Sequence, residues 1–590
     1  MEIYHKRIIQ FTKEAESLKK HYNLIGLFRF LSLVLFFVAG YFFYNLSEII
    51  YLIVAFFGLI AFVYFVNFHD KIKYSIKVNK ALLQINADEI SFCNREKIPF
   101  NSGAEFTDFE HLYCFDLDIF GANSLFQSLN RTATFVGKKT LANQLLTLLP
   151  NESIIQNQIA VKELAANLDY RQHFLAISKI IKDSESTFKT LLKWSRSEAK
   201  SFAKVFEVIS FVSPLLIGCC ATAFLITKNQ FYLGYIPLLF LFNLFIFRFF
   251  LKRIKAEIND AENIDKIINQ YSLIVKKIEN ESFTSQKLIA LQKKLLFKNQ
   301  SASVHLKKLS QLFSQMDIFF NAMATLIFNG FFLFHVHILK QFINWKKSNA
   351  SEIESWLDVI GEFEMLCSLA NLSYNNPHFC YPELNSNFEI SFTNASHPLL
   401  NPKSSIGNTI SFQPESFVIL TGSNMSGKST FLRSLGINMV LAGMGSSVCA
   451  SKSSIHPMPI LVSMRLSDSL SDNESYFYAE IKRLKAIMDG LENRRSFVLL
   501  DEILRGTNSD DKRNGTVEVV KKMIHKNAIG AIATHDIEVC QTTNQYPDVL
   551  TNKCFEVEII NNDLHFDYKL RDGICKNRSA SFLMKKMGVI

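Results

Sequence analysis

The strongest chemical signal in the chain is one short run, Gly422-Ser423-Asn424-Met425-Ser426-Gly427-Lys428-Ser429, which fits G-x-x-x-x-G-K-[ST] at every fixed position. Its glycines let backbone N–H groups turn toward phosphate oxygens, and a helix starting near Thr430 adds its positive N-terminal end. In such a loop Lys428 neutralises the β- and γ-phosphates of a nucleoside triphosphate, and the Ser429 hydroxyl ligates Mg²⁺. Further on, the apolar run Phe497-Val498-Leu499-Leu500 ends in Asp501-Glu502. There Asp501 is expected to hold Mg²⁺ and Glu502 to polarise an attacking water. A third apolar run closes on Thr534-His535-Asp536, where His535 is placed to sense the γ-phosphate. Together these residues predict binding of ATP with Mg²⁺ and its hydrolysis. A glycine-rich turn arising by chance is the alternative, and the flanking strand and helix argue against it.

Positioning such groups takes a sheet with crossover helices. From about residue 388 short β-like runs at 409–412, 417–421, 497–500 and 528–534 alternate with helical segments. That alternation predicts an α/β domain with a mainly parallel sheet over residues 381–590. The phosphate loop would then leave the strand formed by Phe417-Val418-Ile419-Leu420.

The rest of the chain is of another kind. It has 590 residues, enough for about four domain-sized units. Of these, 48% are apolar and 20% charged, with 22 Gly and 12 Pro, which excludes a disordered or linker-dominated protein. A net charge of +10 over this length is no nucleic-acid footprint. The ten cysteines form no C-x-x-C pair and are read as reduced thiols. Four apolar stretches, 24–44, 49–66, 208–226 and 231–247, each approach the roughly 20 residues needed to cross a bilayer. They pair across short polar turns at 45–48 and 227–230, which predicts two transmembrane hairpins, 24–67 and 206–251. Basic residues flank both on one side: Lys6, Arg7, Lys13, Lys19 and Lys20 in the segment 1–23, then Lys71, Lys73 and Lys77, then Arg248, Lys252 and Arg253. The positive-inside rule makes that side cytoplasmic. The expectation is a multi-pass protein of the cytoplasmic membrane, its soluble parts in the cytoplasm and its partner the lipid bilayer. Four buried core helices are the alternative. A fifth apolar stretch, 318–339, is broken by Asn321, Asn329, Gly330, His335 and His337 and is read as protein-buried or interfacial. Residues 68–205 form a first cytoplasmic block. Within 252–380, Ile254, Ile258, Ala261, Ile264, Ile268 and Tyr271 share one helical face, read as a helical arm or coiled coil.

At its chemistry-bearing residues the sequence resembles the MutS family of mismatch-repair ATPases, related to the ABC ATPases. The run Thr421 to Thr430 is similar to T-G-P-N-M-x-G-K-S-T, with the Asn424-Met425 pair far more specific than the generic loop. Asp501-Glu502-Ile503-Leu504-Arg505-Gly506-Thr507 resembles D-E-[IL]-x-x-G-T, and Thr534-His535 the family's switch histidine. Ser396-His397-Pro398-Leu399-Leu400 resembles the opening of the ATPase domain, and Tyr568-Lys569-Leu570 its close. Ser124-Leu125-Phe126, Leu129-Asn130-Arg131-Thr132 and Ser368-Leu369-Ala370 are similar to the two ends of the family's all-α helical core. The resemblance implies a homodimer of ATPase heads, in which Ser475 of the signature loop meets the other subunit's γ-phosphate.

There are departures. A hairpin stands where the family has its mismatch-reading and connector domains, and the second hairpin interrupts the core where the family inserts a DNA-embracing clamp. Asn473-Glu474 replaces the usual Gly-Arg before Ser475. The expected function is therefore a membrane-anchored, MutS-like ATP-driven switch. A DNA-binding mismatch-repair protein at the membrane is the alternative, although both regions that would grip DNA are replaced. An ABC-type transporter comes third, because no span carries a central charge that would mark a substrate route.

Overall fold

The computed structural model describes residues 1–590 apart from 182, 199–203, 259–263, 415, 466–475, 561–562 and 576–590. Two 45-residue helices, Glu2–Leu46 and Ile49–Cys93, form an antiparallel hairpin. Its turn is only Ser47-Glu48, with Ser47 in the left-handed region at φ 56°. Each helix is about 68 Å long at the usual rise per residue, more than twice a bilayer's hydrocarbon thickness. The apolar stretches thus fill only the distal half, and the segment read as 1–23 and the start of the block read as 68–205, up to Cys93, continue the same helices as a stalk. Along the second helix Ile72, Asn79, Leu82, Ile85, Asn86 and Glu89 are buried at three- and four-residue spacings, one helical face turned inward. The base of the stalk docks through Arg7, which donates to Gln172 at 2.7 Å and Asp169 at 2.5 Å, and through a buried Glu89–Arg131 ion pair at 2.5 Å.

The helical core is organised around Ile353–Asn375, whose residues from Phe363 to Asn371 are all buried. Phe135–Leu146 and Asn151–Ala166 pack on it. Within the stretch read as an arm or coiled coil, the chain folds back on itself. Helix Ile264–Glu279 lies against Ala302–Met316 and Leu168–Ser178, and Ile264, Ile268 and Tyr271 face that contact fully buried. The apolar stripe needed a partner, and helix Ala302–Met316 of the same chain supplies it; Ala261 lies outside the described residues.

The second hairpin consists of Lys204–Thr227 and Gln230–Ile258, with Pro214 and Pro237 inside the helices. Among the described residues, the four hairpin helices are long and apolar enough to cross a membrane. The fifth stretch is not one helix. It runs as a turn at Asp317–Phe320, helix Ala322–Phe332, and helix Phe334–Asn349, with the axis bent by 84° around Leu333, itself at φ 49°.

The C-terminal part is α/β. Its six-stranded sheet runs Asp563–Asp572, Leu550–Ile560, Phe417–Gly422, Ile529–Ala533, Phe497–Asp501, Ile460–Ser463 from edge to edge. All neighbours are parallel except the first pair. A four-stranded sheet of Glu383–Leu384, Lys452–Ile455, Ile390–Ala395 and Asn408–Phe412 packs beside it. The central strands are buried on both faces, so they read as continuous apolar runs. Leu550–Ile560 and Asp563–Asp572 intersperse polar with apolar residues and gave no comparable signal.

Candidate functional site

Register brings the chemistry together. Ala533 pairs with Leu420 on one side and with Asp501 on the other, so the phosphate loop, Asp501-Glu502 and Thr534-His535 leave adjacent parallel strands at one edge. The carboxyl ends of strands in such sheets are where ligands bind. Gly427, at φ 100°, caps helix Lys428–Gly443, a conformation that a side chain would strain. Gly422 has no room for one, because a Cβ would fall 2.6 Å from Ser426 Oγ. Met425, at φ 68°, stands exposed on the crest of the loop.

Lys428 is buried, and its Nζ donates to the loop carbonyls of Gly422 at 2.9 Å and Ser423 at 3.1 Å. Burial lowers its pKa, opposed by the nearby carboxylates of Glu502 and Asp501. Around it, buried oxygens stand without partners among the described residues: Ser423 Oγ, Ser426 Oγ and Asp501 Oδ1. Buried polar atoms are nearly always bonded, so such a cluster marks a place for an anionic ligand and its cation. A carboxylate beside a hydroxyl such as Ser429 suits a hard divalent cation whose remaining positions are filled by phosphate oxygens. Among the described residues no group of three or more His, Cys, Asp or Glu converges to hold a metal unaided.

Glu502 adopts φ 48° and its N–H donates to Ala533 O at 3.0 Å, which turns the side chain over the loop. His535 Nε2 lies 2.8 Å from its carboxylate and 3.4 Å from Lys428 Nζ. The hydrogen bond from His535 outweighs partial burial and holds the Glu502 carboxyl at about 2, helped by Arg505 and Lys428. Asn424, Met425, Ser426, Gly427, Lys428, Ser429, Thr430 and Glu502 line a cavity of about 560 Å³. Its opposite wall comes from His397, Leu400, Ile406, Asn408 and Tyr568. Burial, with the charge of Arg433 nearby, pushes His397 down to about 4. Ser475, with Asn473 and Glu474, lies outside the described residues.

Sequence reasoning missed Glu480. It is buried on helix Tyr476–Asn493 and accepts from the N–H groups of Leu504 at 2.5 Å and Arg505 at 3.1 Å, fixing the segment that follows Glu502. Asp116 and Asp118 were also missed. Asp116 accepts from the N–H groups of Met464 and Arg465 and from Arg483 Nη2, while Asp118 pairs with Arg465 and Arg433. The helical core thereby grips both flanks of the segment 466–475. Single carboxylates on unpatterned segments carry no local signal of such roles.

The family MutS domain V matches residues 418–587, which include every strand end described above. Residues 418–587 are thus a MutS domain V, and the relatives that match the chain are MutS proteins. It is 29% identical over 256 residues to the human MutS protein homolog 4, covering 42% of this chain and 25% of that protein. To the DNA mismatch repair protein MutS of Flavobacterium johnsoniae it is 28% identical over 223 residues, 36% of this chain and 25% of the relative. To that of Methanococcoides burtonii it is 30% identical over 203 residues, 33% and 23% respectively. The chain spans about a quarter of the length of these relatives.

Proposed function

We propose that the chain is a membrane-anchored MutS-family ATPase that binds and hydrolyses ATP at a homodimeric head and uses the cycle to move its helical core and hairpins. The observation that carries this reading is the group of partnerless buried oxygens beside Lys428, at the strand edge that also presents Glu502 and His535. Lys428 would exchange the loop carbonyls for β/γ-phosphate oxygens, while the N-terminus of helix Lys428–Gly443 faces the same charge. Mg²⁺ held by Ser429 and Asp501 would neutralise the charge developing on the phosphates. Glu502, ionised and steered by His535, accepts a hydrogen from the attacking water and orients it toward the γ-phosphorus. His535 would report on that phosphate, since its Nε2 donates to Glu502 and lies 3.4 Å from Lys428 Nζ. Three contacts would carry the change outward: Glu480 to the segment after Glu502, Asp116 and Asp118 to the flanks of 466–475, and Arg95. The last, at the end of the N-terminal hairpin, donates to the carbonyls of Leu399 at 2.8 Å and Leu400 at 2.5 Å, and Leu400 lines the cavity.

The lipid bilayer as partner, the cytoplasmic membrane as location and the placement of Ser47 and Asn229 outside rest on the apolar hairpins and their basic flanks. The test is the full-length Glu502→Gln variant in detergent. It should bind Mg-ATP yet hydrolyse it on the order of 100-fold more slowly. It should also sediment as a dimer with Mg-ATP and not without, because a ligand bridging two chains favours their association. Hydrolysis at the wild-type rate, or a monomer with full activity, overturns the reading. The names of the relatives favour a DNA-directed alternative. Stimulation of hydrolysis by duplex or mismatched DNA, and not by liposomes, would establish it.

A further inference from the structure

Residues 317–339 are apolar yet too broken to span a membrane, and their contacts with the second hairpin fix how deep they go. The Phe319 ring lies 6.4 Å from Phe247, the Phe331 ring 5.0 Å from Phe240, and the His335 ring 6.0 Å from Phe247 again. Phe240 and Phe247 sit on helix Gln230–Ile258, about 10 Å apart along its axis. Phe247 is next to the basic flank beginning at Arg248, and Phe240 is near the middle of the apolar run 231–247. The chain therefore advances toward the hairpin tip from Phe319 to Phe331, turns at Leu333, and is back at its starting level by His335. Beyond that, His337 Nε2 meets Ser210 O at 2.8 Å and Lys340 pairs with Glu207, both on the other helix of the hairpin.

A helix break in an apolar medium needs internal partners for its backbone. They are present. Asn243 Nδ2 donates to Gly330 O at 2.9 Å, and Asn243 Oδ1 accepts from Ser213 Oγ at 2.5 Å. Asn329 Oδ1 accepts the N–H of His335 at 3.0 Å, and its Nδ2 donates to Thr325 O at 2.7 Å. Leu333 N–H reaches Asn329 O at 3.0 Å. Gly330 allows this approach, since a Cβ there would fall 2.1 Å from the Phe240 ring. The outward side is the reverse: Phe320, Met323, Leu326, Ile327, Phe328 and Phe332 are all exposed. So many large apolar side chains on so short a segment are costly to leave in water. Leu238, Leu241 and Phe245 of the hairpin are exposed in the same way along the stretch this segment packs against.

We infer that residues 317–339 are a re-entrant membrane element: they enter the acyl-chain layer beside the second hairpin, reach roughly its middle, and leave on the side they entered. The partner of the exposed face is phospholipid acyl chains. This rests on the reading that the second hairpin lies in a bilayer, and the test separates the two. Tryptophan is introduced singly at Met323, Phe328, Phe332, Leu238 and Phe109 in the full-length protein, with ATP hydrolysis as the check on folding. Each variant is reconstituted into phosphatidylcholine vesicles whose acyl chains carry bromine near the headgroup or near the chain end, and fluorescence is compared with unbrominated vesicles. Leu238→Trp marks the hairpin, and Phe109→Trp, exposed on the helical block, marks water. Met323→Trp and Phe328→Trp should lose fluorescence as fully as Leu238→Trp, while Phe109→Trp keeps it. Deep bromine should quench Phe332→Trp more than Met323→Trp. Quenching at Leu238→Trp with none at Met323→Trp and Phe328→Trp overturns the inference and leaves the hairpin standing. Quenching of all the inserted residues by shallow bromine alone, a segment flat on the interface, also overturns it. No quenching at Leu238→Trp removes the membrane reading and the inference with it.

Discussion

The nucleotide edge and the layer around the second hairpin are both buried and polar, and they treat their polar atoms in opposite ways. At the strand edge Ser423 Oγ, Ser426 Oγ and Asp501 Oδ1 are buried with nothing to bond. Around the hairpin Ser213, Asn243, Gly330, Asn329 and the His335 N–H close on one another, and of these groups His335 Nε2 is left over among the described residues. Orphaned oxygens cost stability that a ligand restores, whereas a closed network costs stability when it is opened. The first region is prepared for something absent from the chain, and the second is complete in itself.

Substitutions can break that contrast. The largest effect is expected at Lys428→Ala, which removes a charge-assisted donor from the phosphates. ATP affinity should fall about 10- to 100-fold, read by nucleotide titration, and unchanged affinity would remove the site. Next is Asp501→Asn. Because Oδ1 has no partner to lose, the melting temperature without nucleotide should not drop, while Mg-dependent hydrolysis should fall steeply. A large loss of nucleotide-free stability would mean that the carboxylate is structural. Asn243→Leu should do the opposite. It strands Gly330 O and Ser213 Oγ, costing about 1–3 kcal/mol in denaturation, with ATP affinity unaltered.

The smallest effect tests a buried carboxyl in the helical core. Glu364 accepts from the N–H groups of Ala133 and Thr134 and from Thr134 Oγ1 at 2.8 Å, but burial outweighs these bonds and raises its pKa to about 7. A carboxyl raised above its unfolded value favours the folded state most at low pH. Its contribution is full below the ordinary value of 4.5 and is lost as pH rises through about 7. Denaturation of the wild type should therefore show stability declining across that window, and Glu364→Gln should flatten the decline. An equal slope in both proteins would assign the dependence elsewhere.

How much of this was legible in the sequence follows from whether the signal is local. The run Gly422 to Ser429, Asp501-Glu502 and His535 could be read because each follows an apolar strand buried on both faces, a pattern confined to a few residues. The hairpin turns were legible for a similar reason: long apolar runs are interrupted by short polar ones. Strands Leu550–Ile560 and Asp563–Asp572 were not, since polar residues are interspersed among their apolar ones and their pairing is set by the sheet. Along 252–316 periodicity reports an apolar face without naming what covers it, and for Ile264–Glu279 that cover includes Ala302–Met316.

By itself the sequence determined the chemistry of the loop, the strand that carries it and the apolar character of both hairpins, because these depend on residues adjacent in the chain. Only the tertiary structure decided that Glu480 holds the segment after Glu502, that Asp116 and Asp118 grip the flanks of 466–475, that Arg95 reaches the wall of the cavity, and that 317–339 turns back beside Phe240. Each is a contact between residues far apart in the chain, set by how helices and strands pack, and no local pattern of residue types encodes it.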